Sequence, residues 1–559
     1  MDQNLRSELR RTLTRNPKLA PVMAHVLLAH LESLPEGASL ALYGCGTLAQ
    51  ALVEACPGPL SRLKTRFLVS SSHGETDFHG YPVVEPVALK QDPADQVILL
   101  SATFAHEMLA CLDHVPRERV LELGRVVDAY GLTRLLDEVL AEITQHVAAE
   151  ATLLQQQLPH DKPLLIFFTQ QAPQHMVKTM REARRLGYAV LVVVERAALT
   201  SSLSLREYQG HGIFHALYES RYIASLEFLQ LERVLRPALT HAEAGMWSAE
   251  PLAYVMEHRI RPMAVEYRDF MQTVFPSEAE AMAAMRLTPE DLRRELAAQC
   301  AVWNGADGVI MKDAPEVVDF MERLNGSRPA RVLRFYHYFS RDMAAAEEHG
   351  PEKLSAATGE PHIVYAGGVV NDPNWHNYPI FRSLLEAGRI LGDQGIHLTI
   401  YNAGDSSGTG YEEYLRLDEE SPFFHYRFAV PYVELKAVLP RHDFGWFCFD
   451  FSGARETPFF LRTTMGSKVF TYLEAGLPVL VSPQQAFIAR VITEELGVGL
   501  CVDFTELCGL RRRLAGVDMQ RLRAAIKHAR ARWTYERHAH RLGAFYESLG
   551  QASSQGTSS

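Results

Sequence analysis

Residues 468–481 read KVFTYLEAGLPVLV, and this stretch decides how the last third of the chain is interpreted. It has the pattern of a helix, a glycine that ends it, and a buried strand that begins at Pro478. A helix followed directly by an apolar strand is typical of a parallel α/β sheet. The stretch therefore predicts an α/β fold for the surrounding residues.

The same alternation of helices and short apolar strands continues on both sides of this stretch. The predicted strands are His362–Ala366, His397–Asn402, His425–Ala429, Phe444–Phe449, Pro478–Ser482 and Gly499–Val502. Together they indicate a parallel sheet within 361–548. The polar run from Arg341 to Pro361 is the best linker in the chain and separates this unit from a similar α/β unit at 161–345.

The remaining residues add a smaller α/β unit and its connections. We predict N-terminal helices at 1–37, a Rossmann-like unit at 38–130 and a helical linker at 131–160. The polar residues 551–559 are expected to form a disordered tail. The fold class is thus α/β, with three Rossmann-like units in series.

Length and composition exclude several classes of protein. One hydrophobic core rarely exceeds about 250–300 residues, so 559 residues imply several domains. The net charge of −11 excludes a global attraction to nucleic acid. The odd count of 7 cysteines, with no C-x-x-C pair, favours reduced thiols. With no apolar run near the length of about 20 residues that a membrane helix needs, we expect a cytoplasmic protein.

The stretch 468–481 resembles the donor-binding motif of GT-B-fold glycosyltransferases, particularly the family-4-like enzymes. Two glycine motifs agree with it: YAGG at 365–368 and GVGL at 497–500. The aromatic residues at 533–536 and 545–546 match a C-terminal helix that crosses back to the first GT-B domain. The resemblance covers 163–548 and implies an acceptor domain at 161–345 and a donor domain at 361–548.

The resemblance also implies a set of donor-binding residues: Gly367, Gly368, Val430, Ser467, Lys468, Tyr472 and Glu474. The helix N-terminus at Ser467 and Lys468 would meet the diphosphate. Glu474 would accept the ribose hydroxyls, since a rise of about 1.5 Å per residue gives roughly the reach from phosphate to ribose. The backbone around Val430 would face the base.

The chain departs from the family pattern in two places. Gly466 stands eight residues before Glu474, where many family members carry a second glutamate. The loop 369–378 has no Lys or Arg, which leaves Arg382, Arg462 or Lys468 to neutralise the phosphates. The resemblance implies transfer from a UDP- or GDP-sugar without a metal or any other cofactor, and the absence of a D-x-D motif agrees with this.

A second glycine motif, G-x-G-x-x-A, occurs in the N-terminal unit at Gly44, Gly46 and Ala49. Glycines between a strand and a helix let a phosphate approach the helix N-terminus. A dinucleotide site also needs an acidic residue about 20 residues later, and the next strand ends in VSSS at 69–72 without one. A tight turn without a ligand, a nucleotide or sugar-nucleotide site, and an NAD site remain alternatives.

Residues 43–123 also resemble the small Rossmann-like domains that are attached to sugar-modifying enzymes. Within the acceptor domain, polar residues lie at the ends of three predicted strands: His241 with Glu243 in the strand predicted at Ala238–Glu243, Glu266 to Asp269, and Lys312 with Asp313. Ligands of open α/β sheets bind at the carboxyl ends of strands. His241 and Asp269 are therefore the candidate bases for an acceptor hydroxyl, although buried or solvated structural roles explain each of them equally well.

The interpretation that joins these observations is a glycosyltransferase. It would move a sugar from a nucleotide-sugar to a glycan, a lipid-linked molecule or a protein in the synthesis of surface glycans or glycoproteins. A peripheral contact with the inner face of a membrane is compatible with such acceptors. The alternatives are a non-catalytic nucleotide-sugar-binding or assembly protein, and an NAD-dependent sugar oxidoreductase that acts through the first domain.

Overall fold

The computed structural model describes most of the chain. The described residues are 20–69, 77–101, 105–130, 132–169, 174–195, 205–245, 249–285, 287–344, 352–369, 379–402, 411–428, 430, 432–452 and 457–556. The chain divides into two compact units: unit 1 comprises Met1–Ala151 with Ser220–Val234, and unit 2 comprises Thr152–Glu219 with Leu235–Ser559. Ser220–Val234 thus joins the N-terminal unit, although the sequence places it within the acceptor domain.

Unit 1 is built on a six-stranded sheet. Its strands are β1 (Ser39–Tyr43), β2 (Lys64–Leu68), β3 (Asp77–Phe78), β4 (Tyr81–Val84), β5 (Gln96–Leu99) and β6 (Val120–Glu122). The order is β3-β4-β2-β1-β5-β6, and β3–β4 is its antiparallel pair. The parallel strands run outward in both directions from β1. Apolar side chains from β1, β2 and β5 form its core.

Unit 2 contains two further sheets, of which the second sheet is formed by residues 164–334. Its strands are β7 (Leu164–Thr169), β8 (Ala189–Glu195), β9 (Ala216–Ser220), β10 (Leu239–Ala244), β11 (Met263–Tyr267), β12 (Gly308–Met311) and β13 (Val332–Arg334). The order is β13-β12-β11-β10-β7-β8-β9. The pairs from β13 to β8 are parallel, and the strand order reverses between β7 and β10.

The third sheet is formed by residues 362–501. Its strands are β14 (His362–Gly367), β15 (His397–Asn402), β16 (Phe424–Arg427), β17 (Phe444–Phe447), β18 (Val479–Val481) and β19 (Gly499–Cys501). All of its pairs are parallel, and the order β16-β15-β14-β17-β18-β19 is that of a Rossmann fold. Its switch point lies between β14 and β17.

Helices connect successive strands. In residues 20–157 they are α1 (Ala20–Glu32), α2 (Thr47–Ala55), α3 (Pro57–Arg62), α4 (Ala105–Ala110), α5 (Leu123–Tyr130) and α6 (Leu132–Gln157). Around the second sheet they are α7 (Gln174–Arg185), α8 (Leu205–Gly210), α9 (Ala224–Leu235), α10 (Ala249–His258), α11 (Met271–Val274), α12 (Glu278–Met285), α13 (Pro289–Gly305) and α14 (Pro315–Asn325).

Around the third sheet the helices are α15 (Leu354–Thr358), α16 (Pro379–Gly392), α17 (Glu412–Glu420), α18 (Tyr432–Val438), α19 (Pro458–Thr463), α20 (Lys468–Glu474), α21 (Ala486–Arg490), α22 (Leu510–Ala515), α23 (Met519–Arg532) and α24 (Tyr535–Gly556). A π-turn at Val491–Glu495 continues α21. In the described part of the chain, no helix has both the length and the apolar character needed to span a bilayer.

Local sequence explains where several helices begin and end. The helices α12 and α13 are separate because Thr288, directly before Pro289, is the N-cap of α13 and forms a capping box with Asp291. The last helix, α24, runs to Gly556, so the expectation of a disordered tail is corrected for residues 551–556. The polar residues there continue the helix that is already formed.

The C-terminal helices join the two sheets of unit 2. α23 packs against α20, while α24 packs against α7, β10 and β11 of the second sheet. Between them the backbone crosses over at Phe339, whose N–H donates to Trp533 O at 3.0 Å and whose carbonyl accepts from Tyr535 N at 2.8 Å. One continuous apolar cluster extends through both sheets. Two Rossmann-type sheets with a C-terminal helix that returns to the first of them constitute the GT-B architecture.

Candidate functional site

The helix α20 lies over the switch point of the third sheet. Tyr472, one of the predicted donor-binding residues, is fully buried, and its hydroxyl accepts a hydrogen bond from Ala366 N at 3.0 Å. Its ring lies so close to Gly445 of β17 that a Cβ atom there would overlap it. Tyr472 therefore lies on the buried side of α20 and attaches this helix to β14 and β17.

Lys468 is the first residue of α20 and lies against the end of β14. Its side chain occupies the space in which Gly367 would carry a Cβ atom. Its ammonium lies 6.0 Å from the centroid of the Tyr365 ring, and burial lowers the pKa of this ammonium. Within the described part of the chain, no carboxylate lies within ion-pair distance of it. A partly buried cation without a counter-ion is a favourable place for an anion.

The turn after β14 is open beside this cation. Tyr365 donates its hydroxyl hydrogen to Gly368 O at 3.0 Å, which fixes the turn. A Cβ atom on Gly368 would meet nothing within 4 Å, so there is space at this position. Ser467 precedes α20 and makes no side-chain capping bond. Gly367, Gly368, Ser467 and Lys468 are therefore brought together at the carboxyl edge of the third sheet.

Val430 follows β16 at the same edge of the sheet and is partly buried against the core. Its neighbours Ala429 and Pro431 lie outside the described residues, as does the loop 370–378. Asn402 ends β15 and supports this edge: its Oδ1 accepts from Val369 N at 2.8 Å, and its amide donates to the Tyr426 hydroxyl at 2.6 Å. The parallel register of β14, β15 and β16 thus places these strand ends side by side.

Glu474 has different neighbours from Lys468. Its buried carboxylate forms an ion pair with Lys178 of α7 at 2.7 Å, and its Oε1 accepts a hydrogen bond from Ser340 N at 2.6 Å. Six residues along a helix of 3.6 residues per turn correspond to a rotation of about 240°, so Lys468 and Glu474 face different sides of α20. The rise of the helix would let both side chains reach one ligand, as the sequence predicted, but the rotation of the helix turns them apart.

Two aspartates lie at the carboxyl edge of the second sheet. Asp269 and Asp313 each stand two residues beyond the paired strand residues Tyr267 and Met311. Burial, and secondarily the charge of Asp269, raises the pKa of Asp313 to about 8, against the opposing effects of the Met465 N–H and Lys312. Asp313 Oδ1 accepts a hydrogen bond from Met465 N at 2.9 Å. This bond joins the domain of the second sheet to the residues that lead into α20.

His241 lies in the interior of the second sheet. The strand predicted at Ala238–Glu243 is observed as β10, Leu239–Ala244, and His241 is its third residue, so it lies within the strand and not at its carboxyl end. The ring is fully buried and stacks on Phe167 at 4.8 Å between centroids. Its Nδ1 is 2.6 Å from the Tyr546 hydroxyl, and its Nε2 is 3.5 Å from Glu266 Oε2. These contacts are those of a structural histidine beneath α24.

Among the described residues, no three or more His, Cys, Asp or Glu side chains are grouped so as to hold a metal ion. In unit 1, Gly44 adopts a positive φ of 117° directly after β1, a conformation that favours glycine. Gly46 is the N-cap of α2. Residues 70–76, which include most of the VSSS stretch, lie outside the described residues.

The fold and the site define an α/β protein of GT-B architecture. Among solved structures, the chain is similar to HepE from Anabaena in complex with UDP and glucose, with 12% identity, 71% of this chain and 99% of that chain covered, and a TM-score of 0.48. It is also similar to an O-GlcNAc transferase variant from Thermobaculum terrenum, with 12% identity, 96% and 99% covered, and a TM-score of 0.46.

A third similar structure is that of MnaA with UDP from S. aureus, with 10% identity, 69% of this chain and 97% of that chain covered, and a TM-score of 0.44. No protein-family model and no curated protein sequence matches the chain. These likenesses concern the fold alone, and the assignment of the architecture depends on the strand order and the crossing C-terminal helix of this chain.

Proposed function

We propose that this protein is a glycosyltransferase that uses a UDP- or GDP-sugar and transfers the sugar to a glycan, a lipid-linked molecule or a protein in the synthesis of surface glycans or glycoproteins. The observation that carries the proposal is Lys468: a partly buried cation at the switch point of a Rossmann-type sheet, beside an open glycine turn. Ligands of Rossmann-type sheets bind in the crevice at the switch point. A diphosphate supplies the negative counter-charge for the Lys468 ammonium.

In this proposal, the donor diphosphate lies between Lys468 and the turn at Gly367 and Gly368, with the base towards Val430. During transfer the bond between the anomeric carbon and the diphosphate oxygen breaks, and the acceptor oxygen forms a new bond to that carbon. Lys468 stabilises the negative charge that develops on the leaving diphosphate. No metal ion and no further cofactor has a part in this scheme.

Asp269 is the proposed base that takes the proton from the acceptor hydroxyl. It lies at the carboxyl edge of the second sheet, and its neighbour Asp313 is held neutral near pH 7 by burial, because the pKa of Asp313 is raised to about 8. His241 has no part in the scheme, because it is fully buried.

Calorimetric titration with UDP- and GDP-sugars tests the donor site. We expect the purified wild-type protein to bind one of the two nucleotide classes and the Lys468→Met variant to lose that binding. Lys436→Met is the matched control, because Lys436 is an exposed lysine of the same domain and its variant should bind as the wild type does. Equal binding by wild type and Lys468→Met would contradict the proposal.

The release of free nucleotide from the donor separates catalysis from binding alone. A transferase releases UDP or GDP, at least slowly by hydrolysis, and Asp269→Asn should slow this release without weakening donor binding. Binding without release under any acceptor condition would indicate a non-catalytic binding protein. Tight binding of NAD that depends on Gly44 and Gly46 would instead favour an oxidoreductase.

A further inference from the structure

The segment that carries Lys468 is anchored at both ends to the domain of the second sheet. Before the segment, Met465 N donates to Asp313 Oδ1 at 2.9 Å. At its other end, Glu474 pairs with Lys178 at 2.7 Å and accepts from Ser340 N at 2.6 Å. Residues 466–473 thus lie between two fixed points, both of which belong to the other GT-B domain.

The helix in this segment is poorly held by its own structure. α20 has only seven residues, and Ser467 at its N-cap makes no side-chain capping bond. A helix of this length is unstable by itself, and its first N–H groups normally depend on a cap. Its last turn is also held from outside, because Arg530 Nε donates to Leu473 O at 2.9 Å. The direction of α20 therefore depends on contacts made by other elements.

The ion pair at the end of the segment is deeply buried. The side chains of Lys178 and Glu474 are 5% and 3% exposed. Removing two charges from water costs so much that a buried ion pair often stabilises a fold less than an apolar pair of similar volume. Removing one partner alone is strongly destabilising, because a buried charge is left without a counter-ion. The pair is better explained by the arrangement it specifies than by the stability it adds.

We propose that Lys178 and Glu474 are positioning residues that hold α20 so that the ammonium of Lys468 lies over the turn at Gly367. This inference depends on the proposed function, since it concerns the alignment of the donor site. Lys178 and Glu474 act through the helix and do not touch the donor. Asp313 fixes the start of the same segment through its hydrogen bond with Met465 N. This bond connects the carboxyl groups of the second sheet to Lys468.

A double variant, Lys178→Met with Glu474→Gln, separates positioning from stability. Each single change leaves a buried charge without its counter-ion and should lower the melting temperature, whereas the double change removes both charges and should restore most of it. The double variant should nevertheless bind UDP, or GDP if that is the preferred nucleotide, about tenfold more weakly, which is the size of coupling seen between residues of one network. The donor KM should rise while kcat changes less.

The matched control is another ion pair that lies within one domain. Arg259 and Asp307 pair at 2.8 Å at the amino edge of the second sheet, so Arg259→Met with Asp307→Asn should leave nucleotide affinity unchanged. Lys178→Arg keeps the charge and should retain most of the affinity. Wild-type affinity in the neutral double variant would overturn the inference while leaving the proposed function intact. Failure of the wild type to bind either nucleotide would overturn both.

Discussion

The side chain of Lys468 fills the space in which any residue other than glycine at 367 would place its Cβ atom. The lysine and the glycine belong to different elements, the start of α20 and the end of β14, and their fit positions the ammonium beside the open turn at Gly368. Position 367 needs glycine because the Lys468 side chain occupies this space. Lys468 is held there because the hydrogen bond from Ala366 N to the Tyr472 hydroxyl attaches α20 to β14. Four predictions concern this contact and other buried groups of unit 2.

The first prediction concerns Gly367→Ala. The added methyl group would overlap Cε of Lys468, and the flexible end of this side chain would move away, so we expect nucleotide binding to weaken by about tenfold or more with little loss of stability. Calorimetry and thermal melting measure the two effects. Gly509→Ala is the matched control, because nothing lies within 4 Å of a Cβ atom there. A Gly367→Ala variant with wild-type affinity would show that the position of Lys468 does not matter.

The second prediction concerns the stability of Lys468→Met. Burial lowers the pKa of this lysine, which means that the charged form is disfavoured in the folded protein. Methionine has a similar length and no charge, so the variant should melt at the same temperature as the wild type or higher while it loses donor binding. Thermal melting without ligand tests this. A marked loss of stability would indicate a structural ion pair for Lys468.

The third prediction concerns pH and Asp313. Its folded pKa of about 8 lies above the unfolded value near 3.9, so the folded state retains the proton over this range. This group therefore makes its full contribution to stability below about pH 4, and the contribution is lost as pH rises towards 8, by at most about 1.4 kcal/mol per pH unit. Asp313→Asn keeps an acceptor for Met465 N and should be more stable than wild type at pH 8.

The comparison is made by urea unfolding at several pH values. The difference in unfolding free energy between Asp313→Asn and wild type should shrink as pH falls from 8 to 4. A difference that does not vary with pH would mean that Asp313 is ionised in the folded protein. Asp319→Asn is a suitable control, because Asp319 is about half exposed and pairs with Arg328 at the surface.

The fourth prediction concerns the amino edge of the third sheet. His362 and His442 are buried there, and desolvation is the main cause that lowers the pKa of each to about 4. Since the unfolded value is near 6.5, their contribution to stability is complete above pH 6.5 and is lost as pH falls towards 4. Urea unfolding should show a lower midpoint at pH 5 than at pH 7.5, and His362→Gln should reduce this dependence. If the urea midpoint of His362→Gln changes with pH as much as that of the wild type, His362 is not the source of the pH dependence.

Much of the fold could be predicted from the sequence because its signals are local. The third-sheet strands lie within two residues of the predicted ends, since a short apolar run between polar turns has few alternatives in an α/β sheet. The break before Pro289 is explained by its capping box. The glycines of the YAGG motif could likewise be identified as a strand end that faces a helix N-terminus.

The candidate site could be predicted only in part. The sequence placed Lys468, Ser467 and the glycine turn in one site, and the structure brings these residues together. The sequence could not identify the partner of Glu474, because Lys178 is distant in the sequence and belongs to the other domain. For His241 the sequence left a catalytic and a buried structural role as alternatives. The structure shows the buried one, because α24, which covers the ring, comes from the other end of the chain.

The sequence by itself determined the alternation of helices and strands in three successive α/β segments, and the glycine turn beside a basic helix start. These features depend on residues close together in the chain, so periodicity and turn residues suffice to predict them. Only the tertiary structure decided which side chains face a ligand and which are used in packing. That outcome depends on helix rotation and on contacts between domains, such as Lys178 with Glu474 and Asp313 with Met465, which local patterns do not encode.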